Sequence, residues 1–166
     1  PLSSKRKRTK NNIRVAEKQT GKDKNMTGII FSIVAGAAMS LQGVFNTRLG
    51  EKIGTYEANT FVQGTAFLLS LIAVWFLGKG SFNEIGAVNK IYLLGGVLGI
   101  IITVTVMFSI QGLSPTTAIS IILISQLAVA ALIDAFGWFG TEQMPFGLTK
   151  YIGLALMIAG VIVFKR

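Results

Sequence analysis

Five stretches of about twenty residues are almost free of charge, and they constrain this chain more than any other feature of it. They run over Thr27–Thr47, Tyr56–Leu77, Ile91–Ile110, Thr116–Phe136 and Gly147–Phe164. A bilayer core of about 30 Å takes roughly 20 apolar residues to cross as an α-helix. Inside lipid a helix satisfies its own backbone hydrogen bonds, which an isolated extended segment cannot do. Charged residues make up only 14% of the chain and the mean hydropathy is +0.61, where a soluble domain carries about 25% charge. The sequence therefore predicts an all-α, polytopic membrane protein, a bundle of five transmembrane helices with the lipid bilayer as its solvent. A hydrophobic run following basic residues and ending near Ala35-Gly36-Ala37 mimics a cleaved signal peptide, but the apolar pattern continues past Ala37 to Phe45.

The connectors support antiparallel helices. Gln111-Gly112-Leu113-Ser114-Pro115 is short, with Gly112 to end one helix, Ser114 to cap the next and Pro115 for its first turn. Gly137–Pro145 carries Trp138 and Phe139, suited to the headgroup region. Lys150 lies near the start of the last segment, where a lysine can snorkel outward, and the chain ends on Lys165-Arg166.

The net charge of +9 is uneven. Residues 1–25 hold nine Lys/Arg against two acids, and residues 26–166 hold seven against five. The basicity is thus an N-terminal segment, expected to be a disordered cytoplasmic tail. Lys5-Arg6-Lys7-Arg8 matches a localisation or RNA-binding patch, and it equally fits a juxtamembrane segment held at anionic lipid. Met26 stands immediately before the first span, so residues 1–25 are alternatively read as lying upstream of the native start. No nucleic-acid partner is expected for the body of the chain.

Cysteine and histidine are both absent, which excludes thiolate and imidazole metal sites and Cys/His nucleophiles. No Ser/His/Asp set, phosphate-binding glycine loop or paired carboxylates appear. No enzyme, metal or cofactor is expected.

Helices in lipid associate through small residues and interhelical hydrogen bonds. In the first segment Ser32, Gly36, Ser40, Gly43 and Thr47 share one stripe, flanked by Gln42 and Asn46. Asn59, Gln63, Ala66 and Ser70 share a face of the second. Gly95, Gly99 and Thr103 do so in the third, Gln126, Ala130 and Asp134 in the fourth, and Gly153, Met157 and Gly160 in the fifth. Gly36, Ser40, Gly43, Gly95, Gly99, Gly153 and Gly160 are the expected packing positions. Gln42, Asn46, Asn59, Gln63 and Gln126 need polar partners away from water; they either satisfy one another across helices or line a solute path. Asp134 is the most informative residue. An acid within a membrane segment is a functional candidate, although its place in the last turn also lets it reach interfacial water. Glu57 fits an ordinary helix N-terminal acid.

Gly36–Asn46 (GAAMSLQGVFN) with Leu49, Gly95-Gly96-Val97-Leu98-Gly99, Ser125-Gln126-Leu127, Ile133-Asp134-Ala135-Phe136-Gly137, Pro145 and Gly153 together resemble the YdcZ-like family of the drug/metabolite transporter superfamily, related to small multidrug resistance proteins. The resemblance covers Met26–Arg166. It implies a multi-pass protein of the bacterial inner membrane, one half of a transporter, and it marks Gln42, Asn46, Gln126 and Asp134 as positions matching the family pattern. Small multidrug resistance proteins carry a glutamate in the first helix for proton and cation exchange, whereas Thr27–Thr47 holds no acid. Asp134, on another helix, is the one substitute.

Five is an odd number, so fusing two such units in one chain places the second upside down relative to the first, as in transporters with inverted repeats. The expected function is transport of an unidentified small solute by alternating access, as an antiparallel homodimer or a heterodimer with a paralogue. The alternative is a non-transporting membrane subunit that binds a larger partner. Charge sets orientation. With the tail, twelve Lys/Arg face four and the N-terminus is cytoplasmic; from Met26 the count is three against four, and both orientations are open.

Overall fold

The computed structural model describes the backbone of residues 2–145 and 147–164, and side chains within that range from Asn25 onward. Its regular structure is helical: α1 (Leu2–Ile53), α2 (Thr55–Leu77), α3 (Gly95–Gly112), α4 (Pro115–Phe136) and α5 (Leu148–Phe164), with short 3₁₀ turns over Phe82–Ala87, Lys90–Leu94 and Trp138–Gly140. Four helical stretches are long and apolar enough to cross a membrane: Asn25–Ile53, Thr55–Leu77, Lys90–Gly112 and Pro115–Phe136. The fifth, α5, has 17 residues, at the short end of what a bilayer core accepts.

The chain divides inside α1 into two compact units, Pro1–Leu41 and Gln42–Arg166. In the first unit the backbone is helical from Leu2, where composition predicts no regular structure. Lys and Arg are good helix formers, and an apolar helix downstream spares the segment the cost of nucleation. The side chains of the basic patch Lys5–Arg8 lie outside the described residues. From Asn25 to Met39 every residue is exposed. Ser32 and Ser40 turn their hydroxyls back onto the carbonyls of Gly28 and Gly36, at 2.9 and 3.0 Å, which satisfies both groups without a second helix.

In the second unit α1 runs to Ile53, past the expected end at Thr47. Arg48 pairs with Glu51 at 2.9 Å on that exposed last stretch. One residue, Gly54, then breaks the helix between α1 and α2. It sits at φ 100°, a conformation natural only to glycine, and a Cβ there would collide with the Glu57 carboxylate. Its N–H donates to Gly50 O (2.9 Å) and its carbonyl accepts from Ala58 N–H (3.0 Å), so both helix ends share the turn. At the next hairpin α3 ends at Gly112, Ser114 Oγ accepts from Thr117 N–H and Pro115 takes the first turn of α4, as the sequence predicts. The third expected segment begins as a 3₁₀ turn, capped by Asn89 Oδ1 accepting from Ile91 N–H at 3.1 Å, and becomes α-helical only at Gly95.

Among the described residues α2 packs on α3, α3 on α4 and α4 on α5. The last stretch of α1 lies against α3: the open face of Gly43 looks onto Ile110 and Val106, and that of Gly50 onto Met107. Where α2 meets α3, Gln63 Nε2 stands 3.3 Å from the position a Cβ on Gly99 would take. Glycine at these points lets side chains of one helix reach the backbone of another, the packing mode expected in lipid. Ala58, Met107, Ile110 and Ala118 are the buried apolar residues, while Phe, Leu, Ile and Trp side chains on every helix are exposed. An apolar exterior of this extent suits hydrocarbon and not water.

Gly43→Leu should weaken the second unit, because Ile110 Cδ1 and Val106 Cγ1 already lie 3.1 and 3.2 Å from the added Cβ. Overpacking of this kind costs about 1–3 kcal/mol. Thermal unfolding in detergent should show a lowered midpoint for Gly43→Leu and none for Gly64→Leu, whose site has open space.

Candidate functional site

Near the α1–α2 turn, at membrane-segment depth, lie three buried polar side chains. Thr47 is 2% exposed and donates to the Gly43 carbonyl at 2.7 Å, so it needs nothing further. Asn46 and Asn59 are each 7% exposed. Asn59 Oδ1 has no hydrogen-bond partner, and an acceptor left so costs about 1–3 kcal/mol. A polar atom held dry and unpaired is suited to accept from a donor that arrives later, such as a solute or a water moving with it. Gln63, a turn further along α2, is half-buried with its amide against Gly99.

At the other end of α4 the chain builds a different site. Gly137 closes the helix in the left-handed region, φ 62°, its N–H on Ile133 O. The connector then folds back on the helix terminus: Met144 N–H donates to Asp134 O at 2.8 Å and Gln143 Nε2 to Ala135 O at 3.0 Å. Carbonyls that a helix end leaves unpaired are thereby satisfied, which suits a terminus near hydrocarbon. Trp138 stacks on Phe136 with ring centroids 5.2 Å apart, and Tyr92 Oη donates to Phe139 O at 3.4 Å. Together these gather aromatic groups at the end of α4, a composition suited to the membrane interface. Beside this terminus a cavity of about 420 Å³ opens between α4 and α5, lined in part by Asp134, Lys150, Gly153 and Met157.

The expected path residues are thus divided. Asn46 and Asn59 lie at the α1–α2 end with Gln63 beyond them. Asp134 lies sixteen residues along α4 from the buried Ala118, about 24 Å away at 1.5 Å per residue. Gln42 and Gln126 are exposed. Of the expected packing positions, Gly43 and Gly99 meet a neighbouring helix. Gly36, Gly95, Gly153 and Gly160 have open space around them, and Ser40 is bonded to its own helix. The sequence reading missed Gly50, Met107, Ile110 and Ala118. Gly50 was detectable, seven residues after Gly43 on the same face, whereas nothing in the apolar run of α3 distinguishes Met107 from its exposed neighbours. Among the described residues no group of three His, Cys, Asp or Glu side chains is placed to share a metal ion.

Long apolar helices, a lipid-compatible exterior and polar groups held within the spans define a multi-pass α-helical membrane protein. The family described as "Putative inner membrane exporter, YdcZ" (DMT_YdcZ) matches residues 27–163, and the chain belongs to that family. No curated protein and no solved structure matches it.

Replacing Asn59 by leucine, similar in size and without the unpaired acceptor, should leave thermal stability in detergent unchanged or raise it by a few degrees. Removing an unsatisfied group in this way is neutral to stabilising. A lowered midpoint would mean that Asn59 has a structural partner.

Proposed function

We propose that this chain is one half of an inner-membrane exporter of a small solute, completed by a second copy inserted antiparallel. The observation that carries the proposal is Gln126. It lies at the middle of α4, a 22-residue span, and its side chain is exposed. At that position along a spanning helix exposure means hydrocarbon, where an unpaired carboxamide costs several kcal/mol. A second chain laid over this face removes the cost.

Antiparallel pairing also accounts for the separation of the path residues. Inverting one copy brings its Asp134 end to the same membrane face as the other copy's Asn46 and Asn59. Each face of the dimer then has one carboxylate and one carboxamide pair. Alternating access would expose one such set at a time, with Asp134 as its ionisable group. The family's description as an inner-membrane exporter supports the direction of transport. The arrangement is the inverted-repeat logic of larger transporters, divided between two chains.

Cross-linking tests the pairing, since the chain has no cysteine of its own. Gln126 stays at the midplane on inversion, so Gln126→Cys should cross-link to its counterpart. Ile119 and Ile133 lie seven residues to either side on the same face. An Ile119→Cys chain should cross-link to an Ile133→Cys chain and neither to itself; self-pairing at both positions would establish a parallel dimer instead. In cells that gain export of a screened solute from this chain, Asp134→Asn should remove the export while the Gln126→Cys cross-link persists.

A further inference from the structure

The cavity between α4 and α5 has a pattern that neither packing nor the family description explains. On α4 its wall is Leu127, Ala130, Ala131 and Asp134; on α5 it is Lys150, Gly153, Leu154 and Met157. Each wall is a single helical stripe at i, i+3, i+4 and i+7. Each carries one charge at the connector end and is apolar for the two turns below, about 10 Å by helical rise. The charges are opposite in sign and both lie at the rim. The middle of the groove is wide because its residues there are small, and a Cβ on Gly153 would meet nothing within 4 Å.

We infer that this groove binds a single-chain zwitterionic amphiphile, taken from the lipid leaflet with its headgroup at the Asp134–Lys150 rim and its apolar body against Ala130, Ala131 and Gly153. Three observations select that occupant. A cationic head would meet the Lys150 ammonium and an anionic head the Asp134 carboxylate; a zwitterion can face each charge with its opposite. The rim is at the end of α4 that leads into Trp138 and Phe139, aromatic residues suited to the headgroup region, and the apolar floor of about 10 Å would reach most of the way through one leaflet, half of the 30 Å core. The volume of about 420 Å³ falls within the range for one small ligand, about 300–1,000 Å³.

This inference deepens the export reading and rests on it only for the ligand's fate; the binding itself is measurable without transport. The purified full chain in non-ionic detergent would be titrated by native mass spectrometry with three probes of one chain length: lysophosphatidylethanolamine (zwitterionic), lysophosphatidylglycerol (anionic) and a monoacylglycerol (neutral). The zwitterion should bind at least about tenfold more tightly than the other two, a difference near 1.4 kcal/mol. Gly153→Leu and, from the opposite wall, Ala130→Leu should each fill the groove and abolish that preference, whereas Gly160→Leu, at another open position on α5, should keep it. Asp134→Asn should shift the preference toward the anionic probe. Equal binding of the three probes, a preference for the anionic or neutral one, or a zwitterion preference that survives both filling variants would overturn the assignment. Export that continues in a chain without the preference removes this ligand and leaves the transport reading; a preference in a chain that exports nothing does the reverse.

Discussion

Lipid on all sides removes the usual reason for helices to associate. Hiding one apolar face against another gains nothing when the solvent is itself hydrocarbon, so the contacts must come from close packing and polar bonds. The second unit depends on this at Gly43 and Gly50, where α1 takes the side chains of Ile110, Val106 and Met107 close to its backbone, and at Gly99, where α3 receives Gln63. The few buried residues, Thr47, Ala58, Met107, Ile110 and Ala118 among them, all lie toward the α1–α2 and α3–α4 connections. Toward the other membrane face the helices are held by different means. The connector after α4 folds onto that helix's carbonyls through Met144 and Gln143, leaving the groove between α4 and α5 open.

Much of this was legible in the sequence. Charge-free length identified the spans, and Gly112-Leu113-Ser114-Pro115 specified a hairpin residue by residue, because caps and proline act locally. The stripe on the first segment includes Gly43, whose open face looks onto Ile110 and Val106. What the sequence did not reveal depends on contacts between distant parts of the chain. The one-residue break at Gly54 cannot be distinguished from any other glycine until its φ of 100° is seen. Periodicity placed Asn46, Asn59 and Asp134 on inward faces but carried no information about depth, so a single path was expected where the fold puts the asparagines beside the α1–α2 turn and Asp134 in the last turn of α4. The α4–α5 groove was hidden for a similar reason: Gly153 read as a packing position, and only the fold shows that nothing fills the space beside it.

Depth also gives the functional reading its form. The candidate path residues lie toward opposite ends of the helices, and Gln126 stands at the middle of α4 with its side chain exposed. A lone chain in lipid would leave that carboxamide without a partner and the carboxylate far from the asparagines. An inverted second copy addresses both deficits with the same residues, which is why the proposal joins export by this family to antiparallel pairing. No acid lies in the first span, and the proposal therefore takes Asp134, at the end of α4, as its ionisable group.

The central claim is that this chain enters the membrane in both orientations. The direct measurement is the location of its C-terminus, read by paired cytoplasmic and periplasmic reporters fused after Arg166, in chains beginning at Pro1 and at Met26. Lys and Arg are nearly balanced between the two faces from Met26 onward, three against four. The account predicts that the chain beginning at Met26 reports from both compartments, while the chain beginning at Pro1 is biased toward a cytoplasmic N-terminus. A single compartment for both chains would contradict it, because a chain with one orientation cannot supply its own inverted partner.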